Sequence, residues 1–241
     1  NSGPSSLGRS IYFPPGVYII SQTLQVTDRR IVFSADGMNA SYGTVIKQTD
    51  KTKDIFQITS DLVSFYGLEF EGPWNVVGFP DGTGNGISLG TGPNGWTPSS
   101  CAVLNCAFHF IPGYCINGAY TDALYLNNCQ FENSGGGVSF VGQANGPGYA
   151  LGNLSGNEIE GCLFSTLYDG GISITNPGGS NNQIVGNGFY NCGYPLNASR
   201  AAIRVSNSGA PETRTTLISS NKFYANPVDI LVVGPTTMGT S

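Results

Sequence analysis

One six-residue pattern recurs along this chain of 241 residues and limits the folds that the chain can adopt. The pattern is an apolar residue, two variable residues, then Leu, Cys or Asn, one variable residue and Phe. Its six copies begin at Phe65, Val103, Leu126, Ile159, Ile184 and Ile218. Successive pattern phenylalanines are 38, 23, 33, 25 and 34 residues apart. Recurrence at intervals of this order is typical of a solenoid, in which each repeat buries its apolar face against its neighbours.

A second short strand follows each copy of the pattern. In four copies it begins 7 or 8 residues after the phenylalanine, and in the other two the gap is 17 and 14 residues. The six segments are 87–89, 115–117, 138–140, 172–174, 203–205 and 230–232. Alternation with a period of two directs the phenylalanines and cysteines inward and the residues between them outward. A constant coil with turns of variable length predicts an all-β fold, a single-stranded right-handed parallel β-helix.

Other solenoids and sheet folds fit the pattern poorly. No segment keeps a 3.6-residue apolar period, which argues against a helical solenoid. The hairpin turns that a β-sandwich needs between its strands are also missing. Residues 1–241 are therefore interpreted as one parallel β-helix domain, because β architectures of this length commonly form one domain.

Composition restricts the partners that the chain can bind. Charged residues make up 10% of it and the formal net charge is −5, so no basic stripe is available to neutralise nucleic-acid phosphates. No apolar run reaches the roughly 20 residues that span a bilayer, and we expect no membrane insertion. With one histidine and cysteines directed into the core, no metal-ligand spacing appears, and we expect neither a metal nor a cofactor.

The cysteines fall mainly in core columns of the repeat. Cys106, Cys129 and Cys162 occupy the same pattern position in successive coils, and Cys115 is aligned with the Val and Ile residues that begin the second strand. Free cysteine behaves as a small buried hydrophobe. We therefore expect all six cysteines to be reduced, as in a protein that folds in a reducing cytosol.

The residue after each pattern phenylalanine points outward, so these residues form one surface column. The column contains Glu71, His109, Glu132, Ser165, Tyr190 and Tyr224. Its only histidine lies between two glutamates that are two coils, or roughly 9–10 Å, apart along the backbone. Flexible side chains could bring these carboxyls into the range of about 6.5–9.5 Å used by inverting glycosidases. Glu71, His109 and Glu132 are candidate catalytic residues, and the alternative is an ordinary polar face without catalysis.

A second candidate group lies at the corner before the following strand. Asp169 and Arg200 occupy the same position in consecutive coils, and Arg204 lies outward on the next strand. Asp169 could act as a catalytic acid, with Arg200 and Arg204 as a basic pocket for a sugar carboxylate. The alternative interpretation is a structural ion pair between coils.

Aromatic residues in the long turns are candidate sugar-binding groups. Trp74, Trp96 and Tyr149 lie in such turns, and Tyr190 lies in the outer column. Flat aromatic faces with a hydrogen-bonding edge suit sugar rings, although the same residues could simply pack the loops against the coils.

The beginning of the chain resembles a known superfamily. Residues 11–20 contain a strand, the turn Pro14-Pro15-Gly16 and a second strand that includes Tyr18. Together with the repeated Asn-Cys-x-Phe segments, this resembles the pectate-lyase-like right-handed β-helix superfamily, and especially its phage tailspike and capsule-depolymerase branch. The upstream acidic segment and capping helix usual in that branch do not precede Asn1, so either the cap lies outside this chain or a partner covers the first coil. We expect this chain to be a fragment of a longer one.

The resemblance implies a homotrimer in a virion tail, with other tail proteins as further partners. It also implies recognition, and in enzymatic members cleavage, of a bacterial surface polysaccharide. Two alternatives remain open at this point. One is a secreted polysaccharide lyase or glycoside hydrolase that acts as a monomer, and the other is a non-catalytic structural or adhesive spike.

Overall fold

The computed structural model describes residues 8–37, 43–74, 80–90, 98–119, 121–142, 156–175, 181–193, 200–206 and 216–234. In these ranges the chain forms 24 strands, numbered in chain order, that assemble into three parallel sheets of eight strands each. Every third strand belongs to the same sheet, so each coil adds one strand to each sheet. The predicted all-β parallel β-helix is thereby confirmed.

Sheet A contains β1 (Arg9–Tyr12), β4 (Ile31–Ser34), β7 (Ser64–Tyr66), β10 (Ala102–Leu104), β13 (Tyr125–Asn127), β16 (Glu158–Glu160), β19 (Asn182–Val185) and β22 (Thr216–Ser219). Sheet B contains β2 (Gly16–Ile20), β5 (Thr44–Gln48), β8 (Glu69–Glu71), β11 (Ala107–His109), β14 (Gln130–Ser134), β17 (Leu163–Leu167), β20 (Gly188–Cys192) and β23 (Lys222–Tyr224). Sheet C contains β3 (Leu24–Val26), β6 (Phe56–Ile58), β9 (Ile87–Leu89), β12 (Tyr114–Ala119), β15 (Gly136–Val141), β18 (Gly170–Thr175), β21 (Ala201–Ser206) and β24 (Ile230–Val233).

The pattern phenylalanines form a continuous stack inside sheet B. They are Phe70, Phe108, Phe131, Phe164, Phe189 and Phe223, in this order along the coil axis. Neighbouring ring centres are 4.6 to 5.2 Å apart, and the rings are nearly parallel. The first five are 2% exposed or less, so the stack forms much of the core. The strand spacing of a parallel sheet sets this separation, which suits stacked aromatic rings.

The turn between sheet A and sheet B explains another constant position of the pattern. The third pattern residue has a positive φ, between 51° and 70°, in every copy. These residues are Gly67, Asn105, Asn128, Gly161, Gly186 and Ser220. Glycine and asparagine adopt this left-handed conformation more readily than other residues, so their presence favours a sharp corner in each coil.

The fourth pattern position is filled by buried cysteines and, in the last two coils, by Asn187 and Asn221. These two asparagines are linked by hydrogen bonds and are called the polar ladder below. All six cysteines are free and buried, as expected from the sequence. Asn187, which is 1% exposed, takes over from Cys162 in this column. Its side-chain nitrogen donates to the carbonyl oxygen of Ile159 at 2.9 Å, and its side-chain oxygen accepts from the Cys162 amide at 2.8 Å. These bonds satisfy an amide that would otherwise be costly to bury.

The predicted alignment of Cys115 is wrong by one residue. Ile116, and not Cys115, pairs with Ile87 and Val138 at the start of the sheet C column. The larger apolar side chain fills the inward position of the strand. Cys115 occupies the preceding corner position, where it is still completely buried.

Candidate functional site on the outer face of sheet B

The outer column of sheet B follows the register expected from the sequence. His109 is paired with Glu71 on one side and with Glu132 on the other. The column continues through Ser165 and Tyr190 to Tyr224, and it is extended in the other direction by Lys47. Period-two alternation produces this surface because the preceding residue on each strand, a phenylalanine in six of these strands, points inward.

Two carboxylates lie on either side of the imidazole of His109. Its Nε2 lies 3.9 Å from Oε1 of Glu69, and its Nδ1 lies 3.9 Å from Oε2 of Glu132. Both distances exceed hydrogen-bonding range, but they place one carboxylate next to each ring nitrogen. Glu69, His109 and Glu132 are called the carboxylate–histidine cluster below.

Glu71 occupies its expected strand position but has a different partner. Its Oε1 accepts a hydrogen bond from Nζ of Lys47 at 2.6 Å. Lys47 pairs with Glu71 in register on β5, one strand before it. Lys47 thus holds the Glu71 carboxylate, and the second carboxylate beside His109 is supplied by Glu69 instead.

The two carboxylates of the cluster have different surroundings. The side chain of Glu69 is 12% exposed, and burial raises the pKa of its carboxyl above the ordinary value of 4.5. His109 opposes this shift in pKa and the nearby negative charge of Glu71 adds to it. The side chain of Glu132 is more open to solvent, at 30% exposed. Unequal environments of this kind allow one carboxyl to keep its proton while the other acts as a base.

The site residues predicted from the sequence did not include Glu69 or Lys47. Glu69 precedes Phe70 and, by the same alternation that exposes Glu71, it also points outward. Lys47 follows Ile46, which takes the place of the phenylalanine in β5. Because β5 lacks the Phe of the pattern, only the alternation in Val45-Ile46-Lys47 could have revealed that Lys47 belongs to this column.

The second predicted group forms an ion pair at the corner between sheets B and C. Nε of Arg200 lies 3.4 Å from Oδ1 of Asp169, and the guanidinium also lies 3.8 Å from the ring centre of Tyr168. Burial raises the pKa of the Asp169 carboxyl, and Arg200 opposes the shift. Arg204 lies on sheet C, paired with Ser173 in register. These contacts fit a structural ion pair between coils.

The aromatic candidates do not lie together in one site. The backbone amide of Trp74 donates to the carbonyl oxygen of Phe110 at 3.1 Å, and the indole nitrogen of Trp74 is buried without a hydrogen-bond partner. Tyr190 stacks on Tyr224, outside the carboxylate–histidine cluster but on the same face of sheet B. Trp96 and Tyr149 lie outside the described residues.

Two further features concern ligands and membranes. In the described ranges, no group of three or more His, Cys, Asp or Glu residues is arranged to hold a metal ion. The same part of the chain contains no helix with the length and hydropathy to span a membrane.

Three parallel sheets wound as successive coils, with polar columns on their outer faces, define the class of parallel β-helix proteins. The chain belongs to the right-handed β-helix family, since the family model "Right handed beta helix region" matches residues 79–238, more than half of its length. No curated protein shows significant sequence similarity to the chain.

Several solved structures are similar to the chain at low identity. ORF18 of Geobacillus virus E2 is 17% identical, with 95% of this chain and 54% of that chain covered and a TM-score of 0.39. The A-module of the mannuronan C-5 epimerase AlgE6 of Azotobacter vinelandii is 11% identical, with 94% and 91% covered and a TM-score of 0.36. The Dettilon tailspike protein gp208 is 10% identical, with 93% and 61% covered and a TM-score of 0.28. The chain thus spans about half the length of the Geobacillus virus protein.

Proposed function

We propose that the outer face of sheet B binds a bacterial surface polysaccharide and hydrolyses it at the carboxylate–histidine cluster, in the manner of a phage tailspike depolymerase. The observation that carries this proposal is the placement of Glu69 and Glu132, in unequal environments, on the two ring nitrogens of His109. The resemblance of the Pro-Pro-Gly entry to tailspikes supports the choice of substrate class. The protein would then act outside the cell, on the surface of a bacterium.

In the proposed reaction, Glu69 is the general acid and Glu132 the general base. The raised pKa of Glu69 favours its protonated form, so it can donate its proton to the leaving glycosidic oxygen. Glu132 takes a proton from water, whose hydroxyl oxygen forms the new bond to the anomeric carbon as the glycosidic bond breaks. His109 lies between the two carboxylates and keeps them apart, and inverting glycosidases likewise separate their two carboxyls, by about 6.5–9.5 Å.

Glu71 is no longer the preferred acid in this scheme. Its carboxylate is engaged by the ammonium of Lys47 at 2.6 Å, whereas the carboxyl of Glu69 faces the imidazole of His109. Asp169 is also set aside in favour of the cluster, because its ion pair with Arg200 holds it at another corner of the coil. Asp169 remains as a comparison residue for the experiment.

The test measures reducing-end release from a panel of capsular and O-antigen polysaccharides. We expect Glu69→Gln and Glu132→Gln each to lower turnover by roughly 100-fold or more, because each removes a titrating group while keeping a similar shape. Glu158→Gln is the matched control, since Glu158 lies on β16 in sheet A, away from the cluster. It should leave turnover unchanged.

Other outcomes would redirect the proposal. Full activity in Glu132→Gln together with loss of activity in Asp169→Asn would move the catalytic centre to the Asp169–Arg200 corner. Full activity in the Glu69, Glu132 and Asp169 variants would reject all of these assignments. No release from any polysaccharide by the parent protein would reject hydrolysis and leave a binding spike.

A binding-only spike is the second candidate function. The 3.9 Å distances at His109 are longer than hydrogen bonds, so the cluster is not already connected as a proton relay. Binding of a panel polysaccharide without release of reducing ends would favour this function over hydrolysis.

Assembly separates the tailspike proposal from a secreted monomeric enzyme. We propose a homotrimer, as in the tailspike branch that the sequence resembles. Light scattering on the protein in solution should give three times the mass of one chain. A stable monomer with hydrolase or lyase activity would favour the secreted enzyme.

A further inference from the structure

We infer that the outer face of sheet B carries a sugar-stacking subsite above Ser165, with the ring of Tyr190 as its wall. This inference rests on the proposed function, because it places one sugar unit of the bound polysaccharide beside the carboxylate–histidine cluster. The ligand class is a pyranose unit that presents an apolar CH face to the tyrosine ring.

The tyrosine pair has the geometry of a wall that stands out from the sheet. The ring centres of Tyr190 and Tyr224 are 5.3 Å apart and their planes differ by 6°. Parallel rings at this distance overlap at least partly face to face, as in offset stacking, because coplanar rings side by side would clash. The separation is also close to the strand spacing of about 4.8 Å, so the ring faces are directed along the coil axis.

This arrangement leaves one face of Tyr190 directed toward the preceding strand. Tyr224 covers the face on its own side, and Tyr190 remains 42% exposed. The residue that precedes Tyr190 in the column is Ser165, whose short side chain cannot cover the opposite face. Among the described residues, Tyr224 is the only aromatic residue whose ring packs against that of Tyr190.

The space above Ser165 is bounded by the proposed catalytic base. Glu132 precedes Ser165 in the column, so Glu132 and Tyr190 lie two strands, or roughly 9–10 Å, apart along the backbone. In the neighbouring outer column, Leu163 is 40% exposed and provides apolar surface at the side of this space. Gly188, next to Leu163 in register, contributes no side chain that could fill it.

The subsite therefore combines two kinds of contact that a sugar unit needs. The Tyr190 ring and Leu163 offer apolar surface to CH groups, and the hydroxyl of Ser165 and the carboxylate of Glu132 can hydrogen-bond to sugar hydroxyls. A polysaccharide that spans this subsite and the cluster crosses the strands and runs along the coil axis.

The test measures binding to immobilised panel polysaccharides by biolayer interferometry, in a Glu132→Gln background that prevents turnover. We expect Tyr190→Ala to weaken binding by about tenfold or more, as removal of a central aromatic contact commonly does. Tyr190→Phe keeps the ring and should stay within about threefold of the background. Ser165→Trp should abolish binding by filling the subsite.

The control is Tyr66→Ala, because Tyr66 is similarly exposed, at 47%, but lies on β7 in sheet A. It should leave binding unchanged. Binding that is unaffected by Tyr190→Ala and Ser165→Trp would overturn the subsite while leaving the proposed function standing. If both variants weaken binding as expected but the parent protein releases no reducing ends, the subsite is supported and hydrolysis is rejected. Failure of the parent and the background to bind any panel polysaccharide would overturn both proposals.

Discussion

The inner and outer columns of sheet B differ sharply although they lie next to each other in the sequence. The inner column repeats one residue, with phenylalanine in six consecutive strands from Phe70 to Phe223. The outer column, one residue further along each strand, changes from Glu71 and His109 to Ser165 and Tyr224. Both columns have the same strand spacing, so backbone geometry is not the source of the difference.

The difference teaches what each side of the sheet requires. The interior is close-packed, and identical rings at the strand spacing pack against one another in it. The exterior has no such packing requirement, so its chemistry can change from strand to strand without disturbing the coil. Repetition therefore reports the fold, and departures from repetition on the outer face indicate where a function could lie.

The largest expected effect comes from interrupting the inner column in its middle. Phe131→Ala removes a ring that stacks on both Phe108 and Phe164, and it should lower the free energy of unfolding by about 3–5 kcal/mol. Phe223→Ala, in the last coil, should cost less because Phe223 is only partly buried and stacks on one ring. Urea denaturation measures the free energy of unfolding of both variants. Equal losses of stability would contradict the phenylalanine stack as the source of stability.

A smaller effect should follow from breaking the polar ladder beside the stack. Asn187→Ala removes the acceptor of the Cys162 amide and leaves that buried donor unsatisfied, at a cost of about 1–3 kcal/mol. Asn221→Ala is the matched variant, since Asn221 lies one coil further on and is less buried. It should destabilise less, and the reverse order in denaturation experiments would contradict this account.

Glu69 provides a test of the outer face through pH. Burial raises the pKa of this carboxyl in the folded protein, His109 opposes the rise and Glu71 increases it. Above the ordinary value of 4.5, the native state therefore binds more protons than the unfolded state, and the contribution of Glu69 to stability falls as pH rises through its folded pKa. The Glu69→Gln variant has no titrating carboxyl at this position, so it does not lose stability in this way as pH rises.

The measurement compares urea unfolding of Glu69→Gln and the parent at about pH 4 and pH 7. The free energy of unfolding of the variant minus that of the parent should be larger at the higher pH than at the lower pH. Contributions from other groups, including Asp169, whose pKa is also raised, are common to both proteins and cancel in the difference if their pKa values are unaffected by the substitution. A difference that falls with pH would contradict the buried, proton-retaining carboxyl.

The smallest expected effect is at the Lys47–Glu71 ion pair. Both side chains are partly exposed, so solvent screens their attraction, and Lys47→Met should change stability by about 1 kcal/mol or less. If the variant unfolds as easily as Phe131→Ala, then the outer column contributes to the fold and the contrast between the two columns fails.

Much of the fold could be predicted from the sequence because the pattern is set by local geometry. Alternation fixed the inward Phe residues, and the register of the column from Glu71 to Tyr224 followed from the six aligned copies. The error at Cys115 arose because Cys115 and Ile116 are both apolar, and periodicity alone does not distinguish which of them occupies the column.

The candidate site could be predicted only in part. Strand alternation places His109 beside Glu71 and Glu132, but the choice of partner depends on side-chain conformation. Lys47 comes from a coil without the phenylalanine pattern, and it pairs with Glu71, whereas Glu69 joins Glu132 beside His109. Competition of this kind between side chains is not visible in a repeat alignment.

The even spacing of the outer column has a consequence for how specificity could change over time. Groups two strands apart are separated by roughly 9–10 Å, a distance at which the effects of substitutions usually add independently. Under the proposed sugar subsite, a change at Tyr190 would therefore alter the recognition of one sugar unit while leaving the groups around His109 undisturbed. A face built in this way can be adapted to a new polymer one strand at a time, and each intermediate keeps the same core.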